Sequence, residues 1–351
     1  MSRSGKILAI GGIFIASIIA AAIVTNSKGN QSTTAQACES QVKNLRFSMS
    51  SNNKHPIYDG AVKFKEVVEK YTDLTVDIYP SAQLGDDRAA IEMLQLGTLD
   101  VSIPSTGPLA NFYPEYNVFD LPFMITNEAV ADSVLRSPFS DDMLKRLEQK
   151  GLIGLDFWEN GFRHLTNSST PVHSIEDVKG LKVRTMESPL HLDAWKAMGA
   201  TPTPMAFNEL FTALQQGTVD GQENPYPNIA LNNLYEVQSS MTDTGHVYTP
   251  LVLIFSQATW NKLSSHDQKV IRQAAIEAGD HERMVNRRVN LDSLATIQEH
   301  MEVIELTPEA RKGFQEATKS VITKYEPIIG SDVVDAFVES INNAEKLVNN
   351  K

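Results

Sequence analysis

Residues 181–227 place Arg184 in a short β-type run and Asn224 in a polar loop, with two legible helices between them. Arg184 stands just before Ser188-Pro189, which opens a helix, so it lies near the end of a sheet, where α/β folds place ligands. Its guanidinium can grip a carboxylate with two parallel hydrogen bonds, a contact worth about 1.5–3 kcal/mol when charge-assisted. The plain alternative is a solvated strand arginine. Arg163 lies in Asn160-Gly161-Phe162-Arg163, at a loop-to-strand junction beside Trp158. It is either a second cation for the same ligand or an ordinary ion pair between two lobes. The amide of Asn224 can donate to a carboxylate or a hydroxyl, and Pro225 biases its backbone towards an extended conformation; a simple turn is the alternative. Phe207, following Pro204-Met205-Ala206, reads as a pocket floor or as core.

None of the usual reactive patterns accompanies these residues. The chain contains no HExxH, no paired CxxC, no GxSxG, no GxxxxGK[ST] and no GxGxxG. Its eight histidines are scattered, with no metal-ligand spacing among them. The expectation is a non-catalytic protein without metal or cofactor, built to hold an anion.

Size and charge are compatible with that. A chain of 351 residues accommodates two domains of about 150 residues each. The net charge of −12 argues against a nucleic-acid partner, which needs a basic face. It does not exclude an anionic ligand, because a closed pocket is governed by its local charge. Arg3 and Lys6 precede Ile7–Val24, in which Ser17 is the only clearly polar side chain. As a helix that run would span ~27 Å, just short of a bilayer core of about 30 Å. The basic-then-apolar order is that of an export signal, placing the rest of the chain outside the cytoplasm. Residues 1–24 thus read as a signal peptide or membrane anchor, and 25–43 as a tether. Ala35-Gln36-Ala37 is a small-x-small pattern that would leave Cys38 at a mature N-terminus; lipidation there and an uncleaved anchor are both open. Cys38 is the only cysteine, so an internal disulfide is excluded.

Further along, strand-like and helix-like runs alternate. Leu45–Met49, Leu74–Tyr79 and Leu99–Ile103 read as strands, with helices over Ile57–Tyr71 and from an Asp86 N-cap to Gly97. Ser174 reads as another N-cap, Lys182–Met186 as a strand, Ser188-Pro189 to Gly199 as a helix, and Asn208 to Gly217 as the next. Residues 94–100 (LQLGTLD) resemble 214–220 (LQQGTVD): a helix end, a glycine cap, then a threonine leading into a strand with Asp. Two similar α/β lobes explain this echo. The run 251–255 (LVLIF) suggests a strand returning to the first lobe. Ser265 and Gln268 form a capping box for a helix from His266 to about His300, and the last fifty residues read as further helices. The expected fold is therefore α/β with partly parallel sheets. Residues 44–160 with about 251–351 form lobe I and 161–250 form lobe II, crossed by hinge strands and one long helix, an arrangement suited to closure about a ligand.

Several strings, in order, carry a family resemblance: NGFRHLT, EDVKGLKVR, GATPTPMAFNELFTALQQGTVDGQENP, and in the first lobe YPSAQLGDDRAAIEMLQLGTLD and FYPEYNVFDLPFMI. They resemble the solute-binding subunits of tripartite ATP-independent periplasmic (TRAP) transporters, of the dicarboxylate-binding type. The resemblance covers nearly all of the mature chain and implies a two-lobed, periplasmic-binding-protein-like fold that closes on an organic acid. It implies that Arg184 forms the main salt bridge to the ligand carboxylate, that Asn224 orients it, that Arg163 is a second contact and that Phe207 lines the pocket. Sialic-acid binders of the family carry a carboxylate and an asparagine where this chain has Ser105 and Ser50, which points away from sialic acid. Dicarboxylates, 2-oxo acids and sugar acids remain, and Glu187 could reach the hydroxyls of a sugar acid or be a surface residue. The implied partners are an organic-acid ligand and the membrane permease subunits. A ligand sensor docking to a membrane receptor and an exported carboxylate-acting enzyme are the alternatives.

Overall fold

The computed structural model describes residues 39–349. The expected export segment, the tether up to residue 38 and Cys38 lie outside the described residues. β1 (Asn44–Ser48) leads through the helix Pro56–Tyr71 to β2 (Thr75–Tyr79), and the helix Asp87–Leu96 leads on to β3 (Val101–Ser102). β1 lies between the other two strands and is parallel to both. The same order recurs downstream. β5 (Lys182–Thr185), the helix Pro189–Ala197, β6 (Thr201–Pro204), the helix Leu210–Gln215 and β7 (Gly221–Asn224) form a second βαβαβ unit, with β5 central and parallel to its neighbours.

Two long antiparallel strands, β4 (Leu152–Asn167) and β8 (Ser240–Ser256), join the units into one mixed sheet of order β2-β1-β3-β8-β4-β7-β5-β6, with β9 (Glu302–Glu305) alongside β8. At about 3.3 Å per residue each long strand extends about 50 Å. Its two ends therefore serve different units: β3 pairs with Ile254 and Phe255 of β8, whereas β7 pairs with His164–Asn167 of β4. Midway, the register of the long pair shifts between Glu159 and Gly161, and Gly161 takes φ +116°, a conformation that other residues rarely adopt. Asn160-Gly161 is thus a bulge inside a continuous strand, where the sequence suggested a loop. The dipeptide has turn chemistry, but here glycine is needed for a bend between two ladders. Asn224 likewise closes β7 and is buried, where a polar loop was expected. The polar run Gln222-Glu223-Asn224 gives no hydropathic sign of a strand because its partners are other polar side chains.

The echo at 94–100 and 214–220 is a repeated piece of geometry. Gly97 and Gly217 both take left-handed φ (+71° and +67°), and each bonds back to its helix, to Leu94 and Leu214 respectively. Thr98 N–H donates to Met93 O and Thr218 N–H to Ala213 O, both at 2.9 Å. This is the double closure of a Schellman end. Asp100 then accepts from the backbone N–H of Arg46 at 2.9 Å, and Asp220 from that of Lys182 at 2.8 Å. In both units the aspartate ties the incoming strand to the central one.

The long helix, Ser265–His300, has Ser264 as its cap, accepting from Asp267 N–H at 3.0 Å, so the cap lies one residue before the expected Ser265 box. Asn208 caps nothing: a 3-10 turn, Phe207–Glu209, precedes the helix Leu210–Gln215. Ser174 does form a capping box with Asp177, but for the single turn Ile175–Val178. At 1.5 Å per residue the long helix measures about 54 Å, matching the two-strand ribbon it lies across. It packs on the helix Pro56–Tyr71 at one end and on the helix Tyr226–Leu231 at the other.

Close approach near its middle depends on missing side chains. A Cβ on Gly60 would stand 2.6 Å from the ring of Trp158 and 2.9 Å from Cβ of Glu282. Trp158 is fully buried and cannot swing aside. Alanine would gain about 1 kcal/mol of helix propensity over glycine, but overpacking typically costs about 1–3 kcal/mol. Gly60→Ala should therefore lower stability, read as a reduced urea midpoint; an unchanged or raised midpoint would mean that this crossing has slack.

Candidate functional site

The parallel strands of both units point their carboxyl ends at one cavity, and every one of the six contributes. Ser50 and Ser51 follow β1, Asp86 and Asp87 follow β2, and Ser105 follows β3. From the other unit come Arg184, Met186 and Glu187 at the end of β5, Met205 and Phe207 after β6, and Asn224 closing β7. Asn160 and Arg163 reach in from the bent part of β4. All seven residues singled out from sequence (Arg184, Arg163, Asn224, Phe207, Glu187, Ser105 and Ser50) thus line the same space. The crevice at the carboxyl ends of strands is where open α/β sheets bind ligands.

Arg184 is 2% exposed, and its Nε and Nη2 donate to Met205 O at 3.0 and 2.5 Å. Its Nη1 is buried and has no partner among the described residues. Burial pushes the guanidinium down to about 10, opposed by the charge of Glu223, so it remains a cation at neutral pH. The ring of Phe207 lies 5.9 Å from Arg184 Cζ, a cation–π arrangement that fixes the guanidinium plane as well as lining the cavity.

Arg163 is bound differently. Its Nε and Nη2 grip the Glu223 carboxylate at 2.5 and 2.9 Å, and Nη2 also donates to Glu223 O at 2.7 Å and Asn224 Oδ1 at 3.1 Å. Glu223 is fully buried. Burial alone would raise its carboxyl; the Arg163 charge, with hydrogen bonds from His246 and Arg163, outweighs this and holds it well below the usual carboxylate range. The His246 imidazole is pushed down by burial despite its contact with Glu223 at 3.1 Å, and so stays neutral. The buried carboxylate is thus bonded to Arg163 alone, and Arg184 has no carboxylate bonded to it among the described residues, only the charges of Glu223, Asp87 and Glu187 nearby.

The facing wall has the opposite character. Ser50 Oγ donates to Asp87 Oδ1 at 2.5 Å, and Ser105 N–H donates to Asp87 Oδ2 at 3.1 Å. Burial pushes the Asp87 carboxyl up, opposed mainly by these two hydrogen bonds and, more weakly, by the charge of Arg184. Sequence reasoning missed Asp87. The available signal was the doubled acid of Asp86-Asp87: Asp86 caps the helix through Ala89 N–H at 2.8 Å, so the second carboxylate had no capping task. Glu223 was also missed as the counterion of Arg163, since nothing in QENP marks it as buried. Among the described residues, no histidine, cysteine or lysine lines the cavity. The arrangement can hold an anion at Arg184 and accept hydrogen bonds from donors at Asp87.

The pair beneath the cavity makes a pH-resolved prediction. Because Glu223 is held down in the fold, its contribution is present above its unfolded value of about 4.3 and is lost as pH falls through its folded value. In Arg163→Met the carboxylate is stranded and burial raises it instead, so the fold pays a penalty that grows as pH rises from about 4.3. The variant should be less stable than the parent by about 3–5 kcal/mol at pH 7, with the gap narrowing towards pH 4. Urea titrations at the two pH values read this directly; a gap independent of pH would remove Glu223 from the account.

Residues 47–327 match the family model described as DctP, bacterial extracellular solute-binding protein, family 7. A solute-binding protein of Verminephrobacter eiseniae (strain EF01-2) is 40% identical over 289 residues, covering 80% of this chain and 83% of the relative. Among solved structures, the sugar acid binding protein of Advenella mimigardefordensis strain DPN7T, in complex with galactonate, is 37% identical. It superposes with a TM-score of 0.85 over 87% of this chain and 100% of that one. A TRAP periplasmic solute binding protein from Polaromonas sp. JS666, bound to D-erythronate, is 40% identical with a TM-score of 0.81, over 84% and 98% of the two chains.

Proposed function

The chain belongs to family 7 of the bacterial extracellular solute-binding proteins, and we propose that it captures a hydroxylated monocarboxylate of the aldonate type and delivers it to a TRAP membrane permease. One observation carries this reading. A buried guanidinium nitrogen, Arg184 Nη1, lacks a partner among the described residues on one wall, while a carboxylate, Asp87, occupies the other. An acid group on Arg184 meets the unpaired donor, and hydroxyls along the rest of the ligand find acceptors in Asp87 and in the hydroxyls of Ser50 and Ser105. Asn224 and Arg163 complete the carboxylate end, Phe207 floors it and Glu187 takes a hydroxyl. A dicarboxylate would bring its second charge towards Asp87. At about 4 Å that repulsion is roughly 1–4 kcal/mol, for effective dielectric constants between those of water and a protein surface. The two relatives with galactonate and D-erythronate carry ligands of the favoured chemistry.

In this reading residues 44–160 with 251–351 form one lobe and 161–250 the other, closing about the bulge at Glu159–Gly161. The apolar segment 7–24 exports the chain, so capture takes place outside the cytoplasm.

Calorimetry with D-galactonate and D-erythronate, against succinate as the contrast, tests the assignment. Both aldonates should bind more tightly than succinate; binding of succinate alone would overturn the monocarboxylate reading. Arg184→Ala should weaken aldonate binding by at least ~2 kcal/mol. Arg184→Lys should restore only part of it, because an ammonium lacks the planar fork. In Asp87→Asn, aldonate binding should weaken while succinate binding improves; a parallel loss of both would place Asp87 outside the recognition of the far end.

A further inference from the structure

Behind the cavity, six side chains form one continuous hydrogen-bonded line, and its polarity is set at both ends by backbone. At one end His55 caps the helix Pro56–Tyr71: its Nδ1 accepts from Ile57 N–H at 3.3 Å. An imidazole that accepts at Nδ1 carries its proton on Nε2. His55 Nε2 stands 2.5 Å from Asn228 Oδ1, so it is the donor in that contact. The Asn228 oxygen being occupied, its Nδ2 donates onward, to Asn224 Oδ1 at 3.0 Å and Asn160 Oδ1 at 3.3 Å.

The opposite end gives the same answer independently. Gln238 Nε2 donates to the backbone carbonyls of Val237 at 2.9 Å and Asp220 at 3.3 Å. Its Oε1 therefore accepts, from Thr166 Oγ1 at 2.8 Å. With its proton used there, Thr166 accepts from Gln222 Nε2 at 2.9 Å, and Gln222 Oε1 accepts from Asn224 Nδ2 at 2.5 Å. Both directions meet at Asn224 and agree on which way its amide faces. All six side chains are less than 8% exposed, so solvent does not scramble the order.

We propose that this line is a positioning relay, in which His55, acting through Asn228, fixes the Asn224 amide with its nitrogen available to the ligand in the cleft. Asn224 lines the cavity, its oxygen is held by Asn228 and Arg163, and its nitrogen spends one N–H on Gln222. The second N–H is left for an oxygen of the bound acid. A reversed amide would set its NH2 group against two donors and its oxygen against Gln222 Oε1, so the line selects one orientation before any ligand arrives. Burial pushes the His55 imidazole down to about 4, which keeps Nδ1 an acceptor at neutral pH. His55 is separated from Asn228 by 173 positions, so the helix that opens the first βαβαβ unit orients an amide belonging to the second.

This rests on the cleft being the carboxylate site, and the test separates the two claims. His55→Asn keeps an acceptor in the place of Nδ1 but cannot reach Asn228. His55→Gln keeps a donor in the place of Nε2 but lacks the capping acceptor. Calorimetry with D-galactonate and thermal melting are measured on both variants. With melting confirming that both variants are folded, the relay requires His55→Asn to bind about tenfold more weakly than the parent and His55→Gln to bind within about threefold of it. Equal affinity in His55→Asn and the parent, or an equal loss in both variants, would overturn it. A parent that binds neither aldonate nor succinate would instead remove the carboxylate reading. In that case the relay is decided without ligand, by 15N NMR of the imidazole: a proton on Nε2 supports it, and a proton on Nδ1 ends it.

Discussion

A buried guanidinium with no carboxylate bonded to it is the constraint around which the cleft is arranged. Arg163 and Arg184 are both withdrawn from water, and Glu223 neutralises only one of them. Burying an unpaired cation is unfavourable, and a protein that was only being stabilised would have given Arg184 a carboxylate of its own. Instead Arg184 is tied to a neutral carbonyl, Met205 O, and to the face of Phe207, which hold its plane without cancelling its charge. The unsatisfied donor is thus what an anion would complete in the proposed reading. Glu223 has the complementary task of offsetting the charge of Arg163, which acts on the second guanidinium.

The sheet explains how such a wall comes to face another. Two units of the same βαβαβ order flank one antiparallel ribbon, so the carboxyl ends of both sets of parallel strands converge on the same crevice. The ribbon runs unbroken between them, and its bend at Glu159–Gly161 is a bulge rather than a loop. The long helix lies along the same span, tied into the ribbon by Glu282, whose carboxylate accepts from Glu159 N–H, and by Asn286 and Arg287, which bond to Glu159. A bend built this way keeps its direction, because the strand pair and the helix constrain it from both sides.

Much of this was written in local sequence. Gly97 and Gly217 announced the repeated helix ends, Ser188-Pro189 announced the helix behind Arg184, and the seven residues chosen for their chemistry meet in one cavity. What escaped was determined by distant partners. β4 has a turn-forming Asn-Gly at its centre, which reads as a loop, since only pairing with β8 makes it one strand. β7 is polar throughout, and its burial depends on partners as far apart as Thr166 and Asn228. Asp87 resembles any acidic residue in a first helical turn until Ser50 and Ser105 arrive from other strands. Periodicity reports which face of an element is apolar; it is silent about polar groups that satisfy one another inside.

Asp100 and Asp220 hold their units from the edge opposite the crevice, each by binding a backbone N–H of the central strand. Anchorage and recognition therefore occupy different ends of the same short strands. Exchanges among the half-dozen tips that line the crevice leave those two backbone ties untouched. Such a frame can be re-lined for another acid one tip at a time, without having to be rebuilt.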